Sequence, residues 1–137
     1  MRITAFTDGA SRGNPGEAAI GIILKDDAGT TVMTHGKYLG TATNNIAEYT
    51  ALLECVRLVK NSGSFQCSEL IVRTDSELMA RQMNGQYKVK DAGMKRMYDQ
   101  VKQELSTAPF RFSIGHVPRA LNKEADALAN EAIDSKL

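Results

Sequence analysis

What this chain can fold into is constrained most by a change of hydrophobic period at Asn44. On the N-terminal side the apolar residues fall in strand-like stretches. Arg2 to Asp8 alternates and stops at Asp8-Gly9, and Ser11 to Gly16 is rich in turn residues. Ala18-Ala19-Ile20-Gly21-Ile22-Ile23-Leu24 and then Thr31 to Leu39 follow, separated by Asp26-Asp27-Ala28-Gly29, which reads as a hairpin turn. Three consecutive antiparallel strands are expected. Beyond Asn44, the residues Glu48, Leu52, Cys55, Val56 and Val59 share one face of a helix that ends near Asn61-Ser62-Gly63.

The remainder alternates between the two periods. Leu70 to Asp75 reads as a short buried strand, Ser76 opens a helix that runs to Asn84-Gly85, and a further helix covers about Asp91 to Leu105. Phe110 to Ile114 reads as a last strand. Leu121 to about Ser135 reads as a terminal helix with Leu121, Ala125, Leu128, Ala129 and Ala132 on its apolar face. Strands four and five are each reached through helices, so they should lie parallel to strand one. The expected fold is α/β: a five-stranded mixed sheet, three antiparallel strands and then two parallel ones, with helices on both faces.

A length of 137 residues with 42% hydrophobic composition suits one domain over residues 1–137. There is no internal repeat, low-complexity tract or linker. Formal net charge is +1, so any site for a polyanion must be local. The cysteines, Cys55 and Cys67, form no Cys-x-x-Cys pair, and with His35 and His116 as the histidines a structural zinc site is not expected. The apolar stretch at the N-terminus is too short for a signal sequence, and nothing approaches a membrane span. A soluble, cytoplasmic monomer with no obligate protein partner is expected.

The acidic residues carry the functional signal. Glu48 lies on the apolar stripe of its helix, where a charge is costly unless compensated; a first-turn carboxylate favoured by the helix dipole explains it equally well. Asp8 closes an apolar strand, although Asp-Gly is also an ordinary turn. Asp75 closes another, and Thr74-Asp75-Ser76-Glu77 fits a capping box. Asp126 sits at the border of the last helix's apolar face, where solvation is the usual explanation.

Their placement argues for more. Ligand sites in open sheets lie beyond the carboxyl ends of parallel strands, and Asp8 and Asp75 both occupy that end, within reach of Glu48. Close carboxylates repel and partly protonate unless cations neutralise them, and an all-oxygen ligand set suits magnesium or manganese rather than zinc. Two such ions roughly 3.5–4 Å apart favour in-line displacement at phosphorus, so phosphodiester hydrolysis is the natural chemistry.

Four stretches resemble the ribonuclease H type I family, in its order and over nearly the whole chain. They are Thr7-Asp8-Gly9-Ala10-Ser11-Arg12-Gly13-Asn14-Pro15-Gly16; Thr43-Asn44-Asn45-Ile46-Ala47-Glu48; Thr74-Asp75-Ser76; and His116 with Asn122-Lys123-Glu124-Ala125-Asp126-Ala127-Leu128-Ala129. The resemblance implies an endonuclease that cuts the RNA strand of RNA/DNA hybrids with two Mg²⁺ or Mn²⁺ ions and leaves 5′-phosphate and 3′-hydroxyl ends. It implies that Asp8 bridges both ions, that Asp126 holds the ion that activates water, and that Glu48 and Asp75 complete the other ion's shell. By the same resemblance His116 sits on a mobile loop and assists proton movement or product release. Asn14, Asn44 and Asn45 match positions that contact the minor groove, where 2′-hydroxyls are displayed; taken alone they also fit a loop Asn before Pro15 and helix N-caps at 44 and 45. Thr43 and the nearby backbone match a phosphate contact. Glu77 and Asn122 complete the substrate-contact set that the resemblance implies.

The chain departs from the family pattern in two places. Glu77 stands where Gln is common, and an ionised carboxylate cannot donate a hydrogen bond. Asn84 to Met94 joins two helices without the basic, Trp-bearing protrusion of some members, leaving Lys88, Lys90, Lys95, Arg96, Arg119 and Lys123 as the cations available for the duplex, or as plain surface charge. The rival readings are an RNase H-like module that binds without cutting and a nuclease acting on double-stranded RNA. A P-loop nucleotide site is excluded, because the Gly13 to Gly16 loop lacks the Lys-Ser/Thr ending.

Overall fold

The computed structural model describes residues 1–137. Its elements run β1 (Arg2–Gly13), β2 (Gly16–Lys25), β3 (Thr31–Ala42), α1 (Asn44–Asn61), β4 (Glu69–Thr74), α2 (Glu77–Met83), α3 (Ala92–Ser106), β5 (Arg111–His116) and α4 (Lys123–Ser135). The strands form one five-stranded sheet in the order β3-β2-β1-β4-β5. β1 and β3 pair antiparallel with β2, while β4 and β5 add on parallel to β1. The mixed sheet expected from the sequence is therefore the sheet observed.

Alternation along β1 and β2 divides the side chains between the two faces of the sheet. Ile3, Ala5, Ile20, Ile22 and Leu24 join Leu70 and Val72 in a core sealed by Tyr49, Leu52, Cys55, Val56 and Val59 of α1 and by Val101 of α3. The Glu48 to Val59 stripe read from the sequence is this buried face of α1. On the opposite face α4 lies across β2, β1 and β3, with Ala132 and Ile133 packed on Ala19. No helix is long and apolar enough to cross a membrane.

Several boundaries differ from expectation, and each difference bears on the site. β1 does not stop at Asp8-Gly9: it stays paired with β2 through Gly13 and Gly16, because the turn-rich residues are taken up as ladder partners. What ends there is the ladder to β4, whose last pair is Thr7 with Thr74. Asp8 and Asp75 therefore both lie one residue beyond the parallel ladder. His116 is the last residue of β5, paired with Thr74, rather than a loop residue. The terminal helix begins at Lys123; Leu121 lies in a short 3-10 turn and is 64% exposed, so its place on the apolar face passes to Ile133.

Candidate functional site

Two glycines bring helices onto both faces of the sheet at Asp8. A Cβ on Gly9 would lie 2.2 Å from the Ala47 carbonyl carbon and 2.3 Å from the Glu48 nitrogen, so α1 rests with its backbone directly on β1. On the other face Gly21, the ladder partner of Asp8, would place a Cβ 2.1 Å from the Ala125 oxygen of α4. Only residues without side chains permit these approaches. The sequence reading assigned neither glycine a role, although Asp-Gly at a strand that does not turn and Gly within an apolar strand were the available signals.

The close packing delivers the acids. Gly9 N–H donates to Glu48 Oε1 at 2.8 Å. That bond, rather than a first-turn position, compensates the carboxylate: the first turn of α1 contains no acid. Carboxylate oxygens of Asp8, Glu48 and Asp75 lie within 4.8 Å of one another. Asp126, carried by α4 on the other face of the sheet, lines the same hollow and lies close enough for its charge to act on Asp8. The four acids expected together thus line one open hollow with Asn44, Asn45, Ser76, Arg119 and Asn130.

Burial and mutual repulsion dominate the electrostatics. Asp8 is 4% exposed and Glu48 8%. Burial first, and the charges of Asp75 and Asp126 second, push the Asp8 carboxyl up from 3.8 to about 8. Burial and then the charges of Asp8 and Asp75 hold Glu48 well above the usual carboxylate range, against the lowering effect of the Gly9 N–H. At neutral pH such a cluster retains protons unless cations replace them. Clustered hard oxygens that need positive charge fit a divalent metal ion. Arg119 brings its Nε within 3.8 Å of Asp75 Oδ2, but at 87% exposure of its side chain it is too solvated to neutralise the cluster.

The other expected site residues separate into two groups. Asn44 and Asn45 line the hollow. Asn14 Oδ1 accepts from the Asn44 N–H at 3.2 Å, tying the β1–β2 turn to the start of α1. The helix cap is Thr43, whose hydroxyl accepts from the Ile46 N–H at 3.2 Å, so Asn44 and Asn45 are freed from capping. His116 is exposed and outside the hollow's lining. Glu77 forms no capping box: Ser76 alone caps α2 through Met79, and Glu77 pairs with Arg81 one turn on. Asn122 is 1% exposed and donates to the Thr7 carbonyl at 2.9 Å, which makes it a brace for the backbone before Asp8 rather than a surface contact. Asn130, which lines the hollow, and Arg12, which donates to it, were given no role from the sequence, since an Asn on a helix border and an Arg inside a turn-rich stretch carry no chemistry of their own there.

The family model described as Reverse transcriptase-like matches residues 6–132. Among curated proteins, the Ribonuclease HI of Halobacterium salinarum is 43% identical over 97% of this chain and 65% of its own length. The Ribonuclease H of Paracidovorax citrulli is 31% identical over 99% of this chain and 97% of its own. A bifunctional protein of Mycobacterium tuberculosis is 38% identical over 98% of this chain but 36% of its own length. The chain thus spans just under two thirds of the Halobacterium relative and about a third of the mycobacterial one. Among solved structures, the RNase H1 of Halobacterium salinarum superposes with a TM-score of 0.91 at 41% identity, covering 98% of this chain and 99% of that one. The compost-derived RNase H1 in complex with an RNA/DNA hybrid superposes with a TM-score of 0.93 at 39% identity, covering 98% of each chain.

Proposed function

The chain belongs to the ribonuclease H type I family, and from that premise we propose that it hydrolyses the RNA strand of RNA/DNA hybrids, leaving 5′-phosphate and 3′-hydroxyl ends. The observation that carries the reading is the gathering of Asp8, Glu48, Asp75 and Asp126 at one sheet edge, with burial and repulsion pushing the Asp8 and Glu48 carboxyls up, a cost that cations relieve.

Two Mg²⁺ or Mn²⁺ ions, when bound, would supply activation of the attacking water and stabilisation of the departing oxygen. Asp8, Glu48 and Asp75, whose carboxylate oxygens lie within 4.8 Å of one another, would hold one ion, and Asp126 with Asp8 would hold the other. Asn44 and Asn45 offer amides that donate and accept, which suits a 2′-hydroxyl or a base edge in a minor groove. Asn14 keeps its Nδ2 donor for the same strand, because only its Oδ1 is engaged by Asn44. The Thr43 hydroxyl accepts from Ile46 and retains its proton for a phosphate oxygen. A nucleotide contact at Glu77 requires its pair with Arg81 to open. His116 moves a proton or aids product release from the end of β5. The exposed cations Lys88, Lys90, Lys95, Arg96, Arg119 and Lys123 attract the duplex. A soluble, cytoplasmic, monomeric enzyme completes the reading.

Asp8→Asn tests it. The variant should lose cleavage of a labelled hybrid in Mg²⁺ while still retarding that hybrid in a gel. Near-normal cleavage by Asp8→Asn would overturn the assignment.

A further inference from the structure

Asp126 is the acid whose carboxylate needs a holder of its own. Glu48 is fixed by the Gly9 N–H, and the oxygens of Asp8, Glu48 and Asp75 form a close set of which Asp126 is not a member. Asp126 rides on α4, one turn before Asn130, and Asn130 Nδ2 reaches back to Asp126 Oδ1 at 3.3 Å and to its carbonyl at 3.0 Å. Asn130 Oδ1 in turn accepts from Arg12 Nη2 at 3.3 Å, and Arg12 Nη1 donates to Asp134 Oδ1 at 2.6 Å. Strand and helix lengths make the match: four strand residues from Asp8 to Arg12 span about 13 Å and eight helical residues from Asp126 to Asp134 about 12 Å, so both pairs meet.

We propose that Arg12 and Asn130 are positioning residues for Asp126, holding one of its carboxylate oxygens so that the other is presented to the divalent cation at the sheet edge. The proposal rests on the metal-nuclease reading above. The chemistry of the chain fixes the amide's orientation. Arg12 only donates and an ionised carboxylate only accepts, so the carboxamide between them must turn Oδ1 to the guanidinium and Nδ2 to Asp126. Without Arg12 the amide loses the donor that anchors its Oδ1, and only the weaker hold of Nδ2 on the Asp126 side is left to keep it in place. The Arg12–Asp134 pair by itself is a strand-to-helix staple at the surface, worth little. The branch through Asn130 is the part that reaches the hollow.

The test follows Mg²⁺ binding to the substrate-free protein, read as the Mg²⁺ concentration giving half the maximal rise in Tm, alongside the Mg²⁺ dependence of hybrid cleavage. Asn130→Ala and Arg12→Ala should each raise the required Mg²⁺ by about tenfold, as loss of a ligand's supporting hydrogen bond does elsewhere. KM for the hybrid at saturating Mg²⁺ should stay within about twofold, and Arg12→Lys should restore part of the loss. Asp134→Ala, which removes the staple and spares the Asn130 branch, should leave the Mg²⁺ requirement unchanged. An unmoved requirement in both Asn130→Ala and Arg12→Ala overturns the proposal, as does an Asp134→Ala shift equal to that of Arg12→Ala. Asp126→Ala separates the two levels of the argument. If it shifts Mg²⁺ binding and Asn130→Ala does not, positioning alone is refuted; if it shifts nothing, the metal reading fails as well.

Discussion

Asp8→Asn in the absence of metal should make the folded protein more stable at pH 8, in proportion to how strongly the site resists an anion. Asp8 has its carboxyl raised from 3.8 to about 8 by burial and by the charges of Asp75 and Asp126. Because the folded-state value lies above the unfolded one, the stability contributed by the neutral acid is fully present below about pH 4 and is lost as pH climbs through 8. Each pH unit in that window costs up to about 1.4 kcal/mol, which sets a ceiling of about 4 kcal/mol between pH 5 and 8. Proton sharing among the coupled acids and entry of water into the open hollow reduce the expected difference to about 2 kcal/mol. Asparagine carries no charge and escapes the penalty. Urea denaturation of both proteins in EDTA should therefore show Asp8→Asn gaining on the parent as pH rises from 5 to 8. Saturating Mg²⁺ at pH 8 should stabilise the parent far more than the variant. A stability difference that does not change with pH, or a parent that stays ahead at pH 8 in EDTA, would refute this electrostatic reasoning.

Other perturbations probe the scaffold and the substrate side. Gly21→Ala places a methyl 2.1 Å from the Ala125 oxygen; because the obstacle is backbone, α4 must shift, so we expect a loss of about 1–3 kcal/mol in urea denaturation together with weakened cleavage. Unchanged stability would show that α4 does not rest on that glycine. His116→Ala should lower kcat severalfold without abolishing turnover or altering hybrid KM, and an unchanged kcat would make His116 an ordinary surface residue. Hybrid affinity should fall steeply as salt rises from 50 to 200 mM, since binding rests on dispersed exposed cations; salt-insensitive binding in a filter or anisotropy assay would contradict that.

The order of elements and the sheet were legible in the sequence because the period of the apolar residues changes at Asn44 and each later strand is bounded by turn residues. The Glu48 to Val59 stripe is a plain consequence of helical spacing. The extension of β1 past Asp8 was hidden because Gly13, Asn14, Pro15 and Gly16 signal a turn without revealing that strands flank it so closely. The four acids were legible as charges in apolar settings; strand direction brought Asp8 and Asp75 together within reach of Glu48, whereas Asp126 joined them through the family resemblance. The physical means of convergence, Gly9 and Gly21 admitting helix backbones on opposite faces, is a tertiary contact that no local pattern announces. Asn122 illustrates the same limit: its motif position suggested a substrate contact, whereas its burial makes it a backbone brace. Arg12 and Asn130 are distant in sequence and meet only once α4 lies along β1.

The central claim is metal-dependent cutting of RNA within a hybrid at the Asp8, Glu48, Asp75 and Asp126 edge. Its most direct test is cleavage of matched, end-labelled RNA/DNA, RNA/RNA and DNA/DNA duplexes by the purified protein with EDTA, Mg²⁺ or Mn²⁺. The account predicts cutting of the RNA strand of the hybrid, 5′-phosphate and 3′-hydroxyl ends, and no cutting in EDTA. Hybrid binding without cleavage under either metal, preferred cutting of RNA/RNA, or cleavage that persists in EDTA would contradict it.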